Sequence, residues 1–238
     1  MTVLHLRPPR AVHVVVPARD EERTLPAHLA ALGRAVERLR ATWPRVPVAA
    51  TLVLDDCSDG SAALARRAAG LQPWLELLEV AHGNVGQARA AGVARARTQH
   101  TGLDPRQVWL ASTDADSLVP GAWLVHHARV ASTGVELLTG TVRPTGLGPA
   151  VEQRWHAAHP RLGEGHPHVH GANLGMTLAA HDAAGGFAPL ATGEDVDLVE
   201  RLLAAGVTHL ASDACPVLTS GRTLARAPEG FATFVAEL

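Results

Sequence analysis

Asp114-Ala115-Asp116 follows the apolar run Gln107 to Ala111, which reads as a buried strand. In an extended chain, residues i and i+2 point the same way, with Cα atoms about 6.5 Å apart. Asp114 and Asp116 then face one side of a strand end. Two carboxylates that close raise each other's pKa unless a cation or donors lie between them. A pair of oxygen ligands suits a hard divalent ion, Mn²⁺ or Mg²⁺, that shares its coordination with substrate phosphates. The plain alternative is a solvated turn, since Asp favours turns and helix starts.

Two further acid clusters weigh against that alternative: Asp20-Glu21-Glu22 after Val12 to Val16, and Asp55-Asp56 after Pro47 to Leu54. Both follow apolar, β-branched runs. Helical spacing over Leu25 to Leu39, a helix from Ser61 to Gly70, a strand Leu75 to Val80 and a helix Val85 to Arg97 capped by Asn84 complete the alternation. Gly70 is read as the C′ glycine of its helix. Such alternation predicts an α/β fold with a mostly parallel, doubly wound central sheet. In that sheet the carboxyl strand ends share one edge, where ligands bind. Helix-start preference accounts for some of the acids, but not for like charges at the strand ends themselves.

The second half is expected to add to the same sheet, so that residues 1–117 form a nucleotide-binding half and 118–238 an acceptor half of one domain. Pro120 is placed near N1 of a helix. Val135 to Val142 is a strand, Thr145 to Pro149 a loop, Val151 to His159 a helix, Leu174 to Met176 a short strand, Val196 to Ala205 a helix and Leu210 to Leu218 a broken strand; Phe231 and Phe234 return apolar contact near the end. Thr192-x-x-Asp195 fits a capping box, with Asp195 reaching back to a free amide. A carboxylate fixed at a helix N-terminus is also suited to take a proton from a hydroxyl. Residues alone leave both uses of Glu194-Asp195 open.

Composition narrows the classes. The 238 residues carry a formal charge of −2 and a mean hydropathy of +0.07. All basic residues are Arg, without a basic stripe, which argues against nucleic acid. No apolar run reaches the roughly 20 residues of a membrane span. Met1 to Arg10 lacks an apolar signal core, making the cytoplasm the expected compartment. Cys57 and Cys215 form no framework. The loop at Gly83, Asn84 and Gly86 lacks a full dinucleotide fingerprint; as a helix start, with Arg89 one turn in, it is suited to a phosphate. Asp55 to Gly60 resembles part of a calcium loop, but Arg66 occupies the place of the bidentate Glu. His166, His168 and His170 alternate; a solvent-exposed loop is expected there rather than zinc.

Taken together, Val14 to Glu22, Leu54 to Ser61, Gly83 to Gly86, Asp114-Ala115-Asp116, Gly185-Gly186-Phe187 and Gly193-Glu194-Asp195 resemble family 2 glycosyltransferases of the GT-A fold. The resemblance runs from about Val12 to Arg222. It implies metal-dependent, inverting transfer from a nucleotide-diphosphate sugar, such as a UDP- or GDP-sugar, to an acceptor hydroxyl. It implies that Pro17, Arg19 and Glu21 line the nucleotide pocket and that Asp56 meets the base or ribose. Asp116 would coordinate Mn²⁺ or Mg²⁺, Asp114 would contact ribose or metal-bound water, and Asp195 would be the base, supported by Glu194. A homodimer is compatible with this reading. The alternatives are a nucleotidyltransferase of similar fold, which usually carries a Gly- and Arg-rich first loop absent here, and a non-catalytic nucleotide-sugar-binding protein, in which an acid cluster would be expected to be missing.

Overall fold

Strands covered on both faces read as unbroken apolar runs, and three such runs form the middle of the structure: β1 (Ala11–Ala18), β2 (Val48–Asp55) and β4 (Val108–Ser112). The computed structural model describes residues 7–146, 153–155, 157 and 162–220. β3 (Leu75–Val80), β5 (Leu137–Thr145), β6 (Leu174–Thr177) and β7 (His209–Ser220) complete a seven-stranded sheet of order β3-β2-β1-β4-β6-β5-β7. β1 pairs in parallel with β2 and β4, and β2 with β3. β6 runs antiparallel to both β4 and β5, and β5 pairs in parallel with β7. β6 is therefore the one reversed strand among the described residues, and the two halves share one mostly parallel sheet.

Among the described residues, six helices cover the faces: α1 (Leu25–Thr42), α2 (Ser61–Ala69), α3 (Val85–Gln99), α4 (Trp123–Ser132), α5 (Leu178–Ala183) and α6 (Glu194–Ala204). Alternate strand residues point to opposite faces. Val12, Val14 and Val16 pack with α1, α2 and α4 in one core, while Val15 and Leu110 pack with α3, α5 and α6 in a second. The chain winds from β1 to β2 on one side and reaches β4 on the other. This puts the topological switch between β1 and β4, the expected ligand crevice.

Several boundaries need local corrections. Gly70 has a φ of −63° and is right-handed, so it is not a C′ glycine. Pro120 lies three residues before the first residue of α4, outside the helix. α5 has only six residues and too little periodicity to stand out in the sequence. Of the helix expected over residues 151–159, residues 153–155 and 157 are helical and the others lie outside the described residues, as do Phe231 and Phe234.

Polar side chains enter the core in matched groups. His13 on β1 lies 2.9 Å from the Thr51 hydroxyl and 3.3 Å from His100. His127 on α4 accepts from the Trp109 indole at 3.0 Å. Burial, with smaller contributions from His100 and Arg95, pushes His13 from 6.5 to about 3. Burial, with His126, does the same to His127. The unfolded chain binds these protons near pH 6.5 and the native chain only near pH 3, so stability falls with falling pH across that window. We predict a loss of about 2 kcal/mol per histidine between pH 7 and pH 5. Urea midpoints measured across this range should fall, and less steeply in His127→Gln. A midpoint independent of pH would contradict the assignment.

Candidate active site

A cavity of about 600 Å³ opens at the carboxyl edge of β1, β2 and β4. Pro17 and Arg19 come to it from the end of β1, with Glu21 just beyond. Asp114 and Asp116 follow β4, and Glu194 and Asp195 begin α6. The two acid pairs, 80 positions apart in the chain, thus share one wall.

Arg89 of α3 joins them. It is 2% exposed, and its Nε donates to Glu194 Oε1 at 2.8 Å. Its Nη2 donates to Asp114 Oδ1 at 2.6 Å and its Nη1 to the Ser112 hydroxyl. A guanidinium is planar and rigid, so three partners fixed on it are fixed relative to one another. Burial disfavours its charge, but Asp114 and Glu194 outweigh burial and hold Arg89 above the ordinary guanidinium range. Burial, aided by Asp195, raises Glu194 above the usual carboxylate range, against the opposing pull of Arg89. Each guanidinium nitrogen of Arg89 already has a protein partner. It lines the cavity, where the sequence suggested a phosphate contact, with its charge paired to two of the acids.

Asp195 is half-buried and aimed differently from Glu194. Its Oδ2 accepts the Gly171 amide at 2.5 Å and its Oδ1 the Val196 amide at 2.9 Å. A Cβ at position 171 would stand 3.0 Å from Arg89 Cζ and 3.3 Å from Asp195 Oδ2, so only glycine brings this amide so close. Asn173 anchors the same turn, donating to the carbonyls of Thr141 and Cys215 and accepting from the Trp123 indole. The capping box does not form. The N-cap of α6 is Gly193, left-handed at φ +73°, without a side-chain cap bond. Asp195 points instead to the Gly171 loop, and it keeps its place in the positive first turn of the helix.

The remaining candidates separate. Asp55, not Asp56, lines the cavity. Asp55 accepts the amides of His82, Gly83 and Asn84 at 2.7–2.9 Å and so shapes the turn into α3. Asp56 sits at φ +54° and pairs with Arg19 at 3.0 Å, outside the lining. Gly86 also lies outside the lining. Its amide donates to Leu190 at 3.1 Å, and a Cβ there would run into the backbone of Ala188 and Leu190. Asn84 caps α3 as expected, accepting from the Gln87 amide. The alternating histidines are not a solvent-exposed loop: His166 is buried, the rings stack in a row, and His170 reaches the cavity. His209 bonds to Thr139 at the far end of β7.

A mostly parallel α/β sheet with a carboxylate-lined cleft at its switch point defines a GT-A-type fold. The chain belongs to glycosyl transferase family 2, whose model matches residues 13–185. Similar solved structures include a mannosyltransferase from Pyrobaculum calidifontis in complex with GDP-Man and Mn²⁺, at 18% identity and TM-score 0.62, covering 97% of this chain and 69% of that one. GalNAc-T7 with UDP, GalNAc and Mn²⁺ matches at 13% identity and TM-score 0.66, covering 96% and 48%. TarS 1-349 from S. aureus matches at 11% identity and TM-score 0.63, covering 89% and 61%. The chain thus spans less than two thirds of the TarS and GalNAc-T7 chains. A search of curated proteins finds no match. Among the described residues no helix is long and apolar enough to cross a membrane.

Removing one partner of a buried ion pair leaves the other charge uncompensated, at about 3–5 kcal/mol, whereas replacing both by apolar groups is often neutral. Arg89→Leu should lower stability by about that amount in urea titrations, and Arg89→Leu with Glu194→Leu should recover much of it. An Arg89→Leu midpoint equal to the parent's would contradict the role of this residue.

Proposed function

We propose that this chain transfers a sugar from a nucleotide-diphosphate sugar to an acceptor hydroxyl, with inversion and with the help of a divalent cation. One observation carries the reading: a single cavity joins the acids after β4 to the acids at the start of α6, at the switch point of the sheet. Pro17, Arg19, Glu21 and Asp55 form the end of the cavity suited to the nucleoside. Asp55 takes the part that the sequence assigned to its neighbour Asp56.

The residues fit a divalent cation of the Mn²⁺ or Mg²⁺ type. Four carboxylates, Asp114, Asp116, Glu194 and Asp195, gather at one wall, with Arg89 the guanidinium bonded to two of them. Both acids border the cavity; Asp116 is assigned to the cation, and Asp114, bonded to Arg89, to the ribose or to cation-bound water. Among the described residues no three His, Cys, Asp or Glu side chains converge as ligands, so donor phosphates and water would complete the shell. When bound, the cation stabilises the negative charge that develops on the leaving diphosphate.

Asp195 is suited to be the base. Gly171 holds one of its oxygens, and its carboxylate borders the cavity. In the transfer the acceptor O–H proton passes to Asp195, and the acceptor oxygen bonds to the anomeric carbon. The bond from that carbon to the phosphate oxygen breaks, and its electron pair leaves with the diphosphate. Displacement from the face opposite the leaving group inverts the anomeric centre. Glu194, buried beneath on Arg89, fixes the start of α6.

Two variants test these roles. Asp116→Ala should abolish the strengthening of UDP or GDP binding by Mn²⁺, measured calorimetrically; equal parent affinity with Mn²⁺ and with EDTA would sink the metal role. Asp195→Asn keeps its hydrogen bond from Gly171 but is a very poor base. With a donor found by screening nucleotide sugars, it should bind that donor normally and transfer about 10²–10⁴-fold more slowly. Transfer near the parent rate would remove Asp195 from the chemistry.

A further inference from the structure

Asp116 can orient a cation only if its own carboxylate is oriented, and the residue after it is built for that task. Ser117 is fully buried. Its amide donates to Asp114 O at 3.0 Å and closes a turn around the two acids. Its carbonyl accepts from His28 Nδ1 of α1 at 2.7 Å. Its hydroxyl lies 3.3 Å from Asp116 Oδ1 and 2.9 Å from the Thr219 hydroxyl near the end of β7. The next residue, Leu118, exchanges backbone bonds with Leu218 at 2.6 and 3.1 Å.

The proton inventory limits how these groups can bond. A serine hydroxyl has one proton and two acceptor sites, and a carboxylate only accepts. The single proton of Ser117 can go to Thr219 at 2.9 Å or to Asp116 at 3.3 Å, and donation to Asp116 requires Thr219 to donate in turn to Ser117 Oγ. A backbone carbonyl also only accepts, so His28 carries its proton on Nδ1. His28 is fully buried, and burial holds it below its ordinary value despite the Ser117 bond and the charges of Asp114 and Glu21. It acts as a neutral donor, and its Nε2 has no partner among the described residues.

We infer that Ser117 is the positioning residue for Asp116, and that His28 positions Ser117 in turn; this rests on the reading that Asp116 takes the cation. Neither residue borders the cavity, so each acts through Asp116. Partners that hydrogen-bond a metal-ligating carboxylate orient it and tune its affinity, and losing one typically weakens metal binding about 10–100-fold. The long bond from Ser117 puts the expected effect near the lower end of that range.

The test measures Mn²⁺ binding directly, from the free-ion EPR signal at saturating UDP or GDP, whichever nucleotide the parent binds. Nucleotide affinity in EDTA is measured beside it by calorimetry. Ser117→Ala should weaken Mn²⁺ binding about tenfold and leave metal-free nucleotide affinity unchanged. A merely structural role would move both in the same ratio, and that result would overturn the inference. Parent-like Mn²⁺ binding in Ser117→Ala would overturn it as well, while leaving the metal role of Asp116 standing. A parent that binds no Mn²⁺ would overturn the metal reading and this inference together. If Ser117→Ala fails to fold, His28→Leu and His28→Asn decide. The leucine variant should weaken Mn²⁺ binding, and the asparagine variant, whose amide can donate to the Ser117 carbonyl, should restore it. Failure of that rescue would also overturn the inference.

Discussion

A charge buried away from water must be paired, and the pairing of Arg89 determines the rest of the site. Its guanidinium spans the base of α3, the end of β4 and the start of α6, three elements far apart in the chain. Desolvating a cation costs several kcal/mol, so it stays in place only while both carboxylates stay with it. This mutual requirement brings the acid after β4 and the acids of α6 to one wall. The same requirement demands glycine at 171, because the guanidinium occupies the space a side chain would need.

The sheet provides the frame for that pairing. Parallel strands β1, β2 and β4 deliver their carboxyl ends to a common edge, and the reversal of β6 brings the Gly171 turn back to the same edge. Asn173 ties this turn to β5 and β7, so that the Gly171 amide meets Asp195 from a fixed direction. Ser117 ties Asp116 to the last strand. Asp195 and Asp116 are thus held by a backbone amide and by a neighbouring hydroxyl respectively. Preorganised polar groups of this kind act on developing charge without reorganising during reaction.

The parallel half was legible in the sequence because strands buried on both faces are near-continuous apolar runs, and β3 was read with its observed bounds. The acid clusters were legible because three of them follow apolar runs whose carboxyl ends share one edge, although Asp55 also serves to hold the turn into α3. The choice between Asp55 and Asp56 was not: it depends on strand parity and on the positive φ of Asp56, which places its side chain with Arg19. Arg89 was seen as a phosphate donor. Its neighbours on the buried face of α3, Ala88, Gly92, Val93 and Ala96, were the available sign of a buried cation, but its partners lie 25 and 105 positions away. The capping box at Thr192 failed for a related reason, since Asp195 had a tertiary amide partner that local spacing could not reveal.

The central claim is that the acids gathered by Arg89 form one centre around a donor diphosphate. It is tested most directly by a crystal structure with Mn²⁺ and UDP or GDP, with data collected at the manganese absorption edge. The account predicts one anomalous peak in the cavity, beside Asp116 and the diphosphate, with Asp195 at the same wall and still bonded to the Gly171 amide. A nucleotide bound elsewhere, or a manganese peak away from Asp116, would contradict it.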